Sequence, residues 1–143
     1  MLEFEVKAVV DDPENLEKDS TVYLFNKEQS LLLPIKMNNT AAKYILDAHA
    51  KPMEPRPHVH NTFIRVITAL HAEIDSIIIY SYQDSIFYSY IRLKRETEFM
   101  DIDARPSDAI SIALRHKVPV FVNEEVYASA GIVVTKELLK SYI

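Results

Sequence analysis

One segment constrains the fold more than any other, and it runs from Ile74 to Lys94. Residues 74–82 form a nearly continuous apolar run rich in isoleucine, a pattern typical of a central strand. Gln83-Asp84-Ser85 supplies turn residues, and residues 86–94 return as the antiparallel partner. The chain is therefore expected to build a sheet around a strand at 74–82.

Shorter apolar segments predict the other strands. Residues 2–10 alternate between apolar and polar side chains, which indicates a half-buried strand. Its apolar face would carry Leu2, Phe4, Val6, Ala8 and Val10. Residues 22–25 and 31–35 predict a hairpin, and two further strands are predicted at 99–103 and 118–122.

Three longer helices are predicted, at residues 39–51, 60–71 and 106–115, and a short one at 124–128 that ends at Gly131. A tail helix begins at Thr135, and three prolines make 51–57 an extended connector. Asn38-Asn39-Thr40 offers caps for the first helix.

The apolar spacing of the first two helices predicts which side chains face the core. In the first helix these are Ala41, Tyr44, Ile45 and Ala48. In the second helix they are Phe63, Val66, Ile67 and Leu70.

The order of the elements predicts an α+β fold in a single domain of residues 1–143. A chain of 143 residues suits one domain with a sizeable core. Strands and helices do not simply alternate, which favours a mixed, mostly antiparallel sheet with packed helices. Arg56-Pro57 and Arg105-Pro106 each precede a helix of similar length, an internal echo that indicates a duplicated strand–helix unit.

Composition excludes several classes of site. Gly131 is the single glycine, so no Gly-rich loop can cradle phosphates, as P-loop and dinucleotide-binding sites require. The absence of cysteine excludes disulfides, Cys-ligated zinc and a Cys nucleophile. The formal net charge of −5 is unlike that of proteins that hold nucleic acid by bulk electrostatics. A nucleic-acid role would need a local basic patch, a metal or a brief encounter with substrate.

Targeting signals are not evident. No apolar run approaches the ~20 residues that a membrane-spanning helix needs. Residues 1–5 lack the basic and then apolar order of a signal peptide. We therefore expect a cytoplasmic protein with no membrane partner.

A dense polar cluster, Asp101 to Asp108, comes at a predicted junction between a strand and a helix. Pro106 suits the first helical position, which makes Asp108 the third. From there its carboxylate can reach the Arg105 backbone N–H and interact with the helix dipole. On this structural interpretation, Arg105 forms a buried ion pair with Asp103 or Asp108.

The same residues suit a metal–phosphate site. Mg²⁺ binds through one or two carboxylates plus substrate phosphate, so Asp103 and Asp108 would hold Mg²⁺ or Mn²⁺. Arg105 and Ser107 would grip the phosphate at the start of the helix. His60 could act as a general acid or base. Both interpretations of the cluster stay open on the residues alone.

The strand pair at 74–94 carries tyrosines and a basic patch. Tyr80, Tyr82, Tyr88 and Tyr90 could stack on bases, or form a half-buried sheet face or a subunit contact. The patch Arg92, Lys94 and Arg95 is either a solvated strand end or a phosphate track.

Residues 102–110, followed by Ala113-Leu114-Arg115 and residues 118–122, resemble the signature of the bifunctional nuclease family. This is a small bacterial and plant domain whose plant members are reported to degrade both DNA and RNA. Weaker matches are Leu33-Pro34-Ile35, Arg56-Pro57 followed by His60, and Asp84 with Phe87-Tyr88. The resemblance covers residues 33–122. It implies an α+β fold with an internally duplicated strand–helix unit, and self-association into a homo-oligomer.

The resemblance also implies a function, a nuclease-like phosphodiesterase that acts on DNA, RNA or both with a divalent metal. Its candidate residues are Asp103, Arg105, Asp108 and His60 as catalytic groups, and Ser107 and Arg56 as substrate contacts. The chain departs from the family pattern at two places. Many members carry an acid in the first helix where Thr40-Ala41-Ala42 stands here, and an Asp where Asn61 stands. These departures support the alternative, a non-catalytic oligomeric binding or regulatory module that keeps the family fold.

Overall fold

The computed structural model describes residues 1–11, 19–50 and 58–135. The strands are β1 (Leu2–Asp11), β2 (Asp19–Asn26), β3 (Leu31–Asn38), β4 (Glu73–Gln83), β5 (Ile86–Arg95), β6 (Glu98–Ala104), β7 (Val120–Val122) and β8 (Ile132–Val133). The helices are α1 (Asn39–Ala50), α2 (Val59–Ala69), α3 (Pro106–His116) and α4 (Glu124–Ala130). The predicted connector at 51–57, including Arg56, and the predicted tail helix beyond Thr135 lie outside the described residues.

The strands form one sheet of eight, in the order β6-β5-β4-β7-β1-β2-β3-β8. β4 and β7 run parallel, and the other neighbouring pairs are antiparallel. The apolar run at 74–82 lies in β4, where Ile77, Ile78 and Ile79 are completely buried. Asp84 and Ser85 turn the chain into β5 with positive φ angles, as a tight hairpin requires. The predicted α+β fold with a mixed, mostly antiparallel sheet is confirmed.

The duplicated unit is a three-stranded meander followed by a helix. The first copy is β1-β2-β3 with α1, and the second is β4-β5-β6 with α3. The leading strands of the two copies, β1 and β4, lie on either side of β7 and run in opposite directions. The helix that matches α3 by position is therefore α1, whereas α2 is an addition to the repeat.

α3 is packed deeply because small and aliphatic side chains fill its middle turns. Its buried residues run without a break from Ala109 to Ala113. α1 and α2 both pack on α3, which in turn lies on β4 and β5. Ile110 is fully buried, which contributes about 1.5–3 kcal/mol to folding. This packing fixes the first turn of α3 next to α1 and α2.

Two predictions about buried faces are wrong in part. In α2, Ile67 is buried and Phe63 packs against the core, but Val66 and Leu70 are 50% and 63% exposed. The apolar arc of this helix is wider than the surface that α3 and β4 cover. In β1, a register shift between Val6 and Ala8 changes the alternation, so that Val10 is on the exposed side.

The first helix differs from its prediction in a way that bears on the site. Its buried side chains are Ala42, Ile45 and Ala48, while Ala41 and Tyr44 are half-buried.

Across residues 1–11, 19–50 and 58–135, no helix is long and apolar enough to cross a membrane.

Candidate functional site

The strand-to-helix junction is fixed by the pairing of β6 with β5 and by the backbone geometry of Arg105 and Pro106. β6 pairs with β5 as far as Ala104, and the Ser89 hydroxyl donates a 2.5 Å hydrogen bond to the Ala104 carbonyl. Arg105 is extended at the N-cap, with φ −65° and ψ 143°. Pro106 then occupies the first turn as predicted, because its fixed φ suits a helix start. The chain thus leaves the sheet and enters α3 within two residues.

Asp108 connects two side chains through its two carboxylate oxygens. His60 Nε2 lies 3.0 Å from Oδ1, and Arg105 Nε lies 2.9 Å from Oδ2. No side-chain cap bond forms at the start of α3, so the predicted bond from Asp108 to the Arg105 backbone N–H is wrong. Both carboxylate oxygens are instead taken by side-chain donors, which are stronger partners for a charged acceptor.

Opposing effects act on the ionisation of Asp108. Burial raises the pKa of its carboxyl, while the hydrogen bonds and charges of Arg105 and His60 lower that pKa to a larger combined extent. The net result is a pKa below the ordinary value of an aspartate. Asp108 also raises the pKa of Arg105, chiefly through their hydrogen bond. The Asp108–Arg105 pair is therefore fully charged at neutral pH.

His60 comes from the first turn of α2 and is buried, at 4% exposure. Its ring packs edge-on against Tyr44 of α1 with a centroid distance of 5.5 Å. Because a carboxylate only accepts, the bond to Asp108 assigns the ring proton to Nε2. In the neutral tautomer Nδ1 is then the acceptor nitrogen, and it has no hydrogen-bond partner among the described residues. A buried polar atom without a partner costs about 1–3 kcal/mol, which marks this nitrogen as a functional candidate.

Arg105 pairs with Asp108 but is not buried. Its side chain is 73% exposed, so the predicted buried ion pair is wrong in its burial. The bond to Asp108 uses Nε, while the two terminal amino groups make no hydrogen bond within the described part of the chain. Arginine presents five N–H donors, so most of its donor capacity stays available for an anion.

Two adjoining cavities meet at the junction. The first, of about 320 Å³, is lined by Asn38, Thr40, Ala41, Tyr44, His60, Arg105, Ser107 and Asp108. We call it the polar cleft. The second, of about 410 Å³, is lined by Ile35, Lys36, Met37, Ser85, Ile86, Phe87, Tyr88, Asp103, Ala104, Arg105, Pro106 and Ser107. We call it the sheet-end cavity. Arg105 and Ser107 line both.

The structure therefore brings four predicted site residues together, namely His60, Arg105, Ser107 and Asp108. Asp103 does not line the polar cleft; it lines the sheet-end cavity with Arg105 and Ser107, and its Oδ1 accepts a 3.3 Å hydrogen bond from the Tyr80 hydroxyl. Burial and the Asp103 carboxylate raise the pKa of Tyr80, so that this phenol stays protonated and keeps donating.

Few of the described side chains could act as ligands for the predicted metal ion. Within the described ranges, no group of three or more His, Asp or Glu side chains could hold an ion. Asp108 is a poor candidate, because both of its oxygens already accept bonds and Arg105 would repel a cation. Asp103 suits better, since a divalent ion can bind one carboxylate together with substrate phosphate. Metal binding by Asp103 and Asp108 stays a prediction.

Tyr44 and Asn38 are site residues that the sequence did not reveal as such. The Tyr44 ring contacts both His58 and His60, at centroid distances of 5.1 and 5.5 Å. Asn38 caps α1 as predicted, since its Oδ1 accepts a 2.8 Å bond from the Ala41 N–H. The tyrosine was predicted only as a core residue, and its half-burial at the cleft depends on how α2 docks. Ala41, one of the positions at which the sequence departs from the pattern that the resemblance implies, also lines the polar cleft.

Comparison with known proteins gives a consistent picture. Residues 22–135 match the bifunctional nuclease domain. A protein of Mycobacterium tuberculosis (strain H37Rv), described only as uncharacterized, is 30% identical over 133 residues, which is 93% of this chain and 79% of that protein.

Two rice proteins are also similar. Bifunctional nuclease 1 of Oryza sativa subsp. japonica is 31% identical over 109 residues, and Bifunctional nuclease 2 is 27% identical over 123 residues. The matches cover 74% and 84% of this chain but only 33% and 38% of the rice proteins. With a domain match over most of its length and this fold, the chain belongs to the bifunctional nuclease domain family.

Proposed function

We propose that this protein is a nuclease-like phosphodiesterase that cleaves DNA, RNA or both at the polar cleft. The observation that carries the proposal is the arrangement of His60 and Arg105 around one carboxylate, Asp108. In this arrangement His60, which can transfer a proton, and Arg105, a cation that can bind a phosphate, share one carboxylate. The names of the rice relatives, Bifunctional nuclease 1 and 2, support cleavage of nucleic acid as the reaction.

Phosphate binding is assigned to the start of α3. The free amino groups of Arg105 and the Ser107 hydroxyl lie beside the first turn of this helix, whose backbone N–H groups favour anions. Asp108 keeps the Nε edge of Arg105 fixed, so the guanidinium is oriented before substrate arrives. Charge that develops on a phosphoryl group in the transition state would be stabilised by this preset donor set.

Proton transfer is assigned to His60. Asp108 holds its Nε2–H, which leaves the Nδ1 lone pair as the group that accepts a proton from an attacking hydroxyl or water. Nδ1 is buried in this structure, so the transfer requires that the attacking group reach it from the cleft that His60 lines. Asp108 would also stabilise the imidazolium that forms after the transfer.

A divalent cation is part of the proposal, with Asp103 as its first protein ligand. Bound Mg²⁺ or Mn²⁺ would neutralise charge on the phosphate oxygens. The Tyr80 hydroxyl would then help to orient the Asp103 carboxylate. Arg105 and Ser107 border both cavities, so a phosphate held there would lie between Asp103 and His60.

The test is a cleavage assay on metal-stripped protein. End-labelled single-stranded DNA and RNA are incubated with a titration of Mg²⁺ or Mn²⁺, using wild type, Asp108→Asn and Glu125→Gln. Glu125 is the matched control, because it is also an acid in the first turn of a helix but lies in α4. We expect metal-dependent cleavage by wild type and Glu125→Gln and at least a 100-fold loss in Asp108→Asn, in line with the about 10²–10⁴-fold contribution of a general acid or base. Wild type that leaves both substrates intact at every metal concentration would refute the proposal.

A second candidate function, an oligomeric binding module without catalysis, is favoured by one observation. Val59, Val66 and Leu70 give α2 an exposed apolar face, at 72%, 50% and 63% exposure. Such a face is typical of a surface that pairs with another chain. This candidate predicts a homo-oligomer that Leu70→Ser dissociates in sedimentation velocity, in a protein that shows no cleavage. Metal-dependent cleavage by wild type would exclude it as the whole function.

A further inference from the structure

The outward face of β4, β5 and β6 carries a continuous row of aromatic and basic side chains. Along β5 the residues that alternate away from the core are Tyr88, Tyr90, Arg92 and Lys94, while Ser89, Ile91 and Leu93 face inward. Tyr80 of β4 and Phe99 of β6 complete this face. We call these six residues the aromatic row: Tyr88, Tyr80, Tyr90, Arg92, Phe99 and Lys94.

Neighbouring members of the aromatic row are in contact. The Tyr80 ring lies 6.4 Å from that of Tyr88 and 5.3 Å from that of Tyr90. The Arg92 guanidinium lies 5.5 Å from the Tyr90 ring and 5.9 Å from the Phe99 ring. Lys94 Nζ is 5.7 Å from the Phe99 centroid. From Tyr88 to Lys94 the row extends about 20 Å along β5, at roughly 3.4 Å per residue.

The row is accessible, and acids border its two basic residues. Phe99 is 56% exposed and Tyr88 is 38% exposed, although both are large and apolar. Asp101 forms a salt bridge with Arg92 at 2.9 Å, and Asp103 accepts the bond from Tyr80. Glu73 is the cross-strand partner of Lys94, and Asp75 lies close enough to Arg92 to act on its charge. These acids offset the charges of Arg92 and Lys94, so binding along the row would depend on the rings more than on attraction of phosphates.

One end of the aromatic row opens on the candidate site. Tyr88 lines the sheet-end cavity together with Arg105 and Ser107, the two residues that also line the polar cleft. A chain of nucleotides that followed the row would thus deliver a phosphate to the start of α3.

We propose that the aromatic row binds single-stranded nucleic acid by stacking its bases, and that it guides the strand from Phe99 past Tyr88 to Arg105 and Ser107. The proposal rests on the proposed function in that it names the substrate class of the same site. Stacking on aromatic side chains is tolerant of sequence, because every base has a ring face. In a duplex these faces are already stacked on one another, so the row selects single strands.

The same geometry explains how a chain with a net charge of −5 could bind nucleic acid. Binding that depends on stacking needs few phosphate contacts. With about two or three such contacts, the slope of log affinity against log salt for a single strand is no steeper than about −2.

The experiment measures fluorescence anisotropy of a labelled 20-nucleotide single strand and of the matching duplex, in EDTA so that no metal is present. The variants are Phe99→Ala and Tyr88→Ala, with Tyr88→Phe and Val133→Ala as controls. Tyr88→Phe keeps the ring, and Val133 is an exposed apolar residue on β8 at the opposite edge of the sheet. Circular dichroism checks that each variant is folded, which we expect because both mutated side chains lie at the surface and outside the core.

We expect each alanine variant to bind the single strand about 5- to 150-fold more weakly, the range for one base–aromatic stack. Val133→Ala should bind like wild type, Tyr88→Phe should bind more tightly than Tyr88→Ala because it keeps the ring, and the duplex should bind more weakly than the single strand. Equal affinity of wild type and the alanine variants, or wild-type preference for the duplex, would overturn the proposal. A change in sedimentation of Phe99→Ala with unchanged anisotropy would also overturn it and would assign the row to a second copy of the chain.

Failure of this proposal can be told apart from failure of the proposed function. If wild type binds the strand through Phe99 and Tyr88 but never cleaves it with added metal, the proposed role of the aromatic row stands and the proposed catalysis is refuted. If wild type cleaves and both Phe99→Ala and Tyr88→Ala bind and cleave as well as wild type does, the proposed catalysis stands and the proposed role of the row is refuted.

Discussion

Replacing Asp108 by alanine is expected to destabilise the protein by about 1–5 kcal/mol, with the largest share through His60. Without the carboxylate, the buried Nε2–H of His60 loses its partner, which costs about 1–3 kcal/mol. Loss of the pair with Arg105 adds only about 0–1 kcal/mol, because that guanidinium is 73% exposed and screened by solvent. The absent acid in the first turn of α3 adds about 0.3–1 kcal/mol through the helix dipole. No backbone cap bond is lost, since none forms.

A double-mutant cycle measures this assignment. Urea unfolding of wild type, Asp108→Ala, His60→Phe and the double variant is followed by circular dichroism, because the chain has no tryptophan. We expect Asp108→Ala to cost only about 0.3–2 kcal/mol in the His60→Phe background, where no buried N–H is left unpaired. The parallel cycle with Arg105→Gln should give the smaller coupling energy. The reasoning is refuted if Asp108→Ala costs the same, within about 0.5 kcal/mol, with His60 or Phe at that position.

The pH dependence of the same variant follows from the lowered pKa of Asp108. A folded pKa below the unfolded one means that the charged carboxylate stabilises the fold above the unfolded pKa of about 3.9. That contribution is lost as pH falls through the lower folded value. The difference in unfolding free energy between wild type and Asp108→Ala should thus be full at pH 6 and shrink below pH ~3.9. A difference that grows on acidification would contradict this sign.

Three further outcomes follow from the contacts described. Arg105→Lys should reduce cleavage by at least 10-fold in a rate assay, because lysine cannot bond Asp108 and fork onto a phosphate together; equal rates would argue against the phosphate role. Ala41→Asp places an acid at the polar cleft and at the start of α1, so it should raise the apparent Mg²⁺ affinity of cleavage, read from a metal titration; an unchanged titration midpoint would show that this position does not influence the metal. Gly131→Ala should destabilise by about 1–3 kcal/mol in thermal unfolding, because its Cβ would lie 2.4 Å from the Tyr127 carbonyl oxygen, whereas Ser129→Ala on exposed α4 surface should stay within about 0.5 kcal/mol.

Much of the fold could be predicted from local pattern because the patterns are strong. The isoleucine run of β4 and the turn at Asp84 left little choice but a central hairpin. Pro106 marked the start of α3 by its own backbone geometry. The faces of α2 and β1 could not be predicted in full. Exposure of Val66 depends on how much of α2 its neighbours cover, and a bulge changes alternation without changing composition.

The contacts in the candidate site also differ in how far the sequence could predict them. Arg105 and Asp108 are three residues apart at a helix start, so their proximity follows from the chain itself. His60 and Asp108 are separated by 48 residues, and only tertiary packing of α2 on α3 brings them together. The family resemblance implied only that both residues belong to one candidate site. The role of Tyr44 had no signal in its spacing, because a half-buried tyrosine and a core tyrosine occupy the same helical positions.

The most direct test of the central claim is the single-turnover rate at which wild type and Asp108→Asn cleave one end-labelled single strand in saturating metal. The arrangement of His60, Asp108 and Arg105 predicts measurable cleavage by wild type and a rate at least 100-fold lower in a folded Asp108→Asn protein. Equal rates for the two proteins would contradict the assignment of catalysis to the polar cleft.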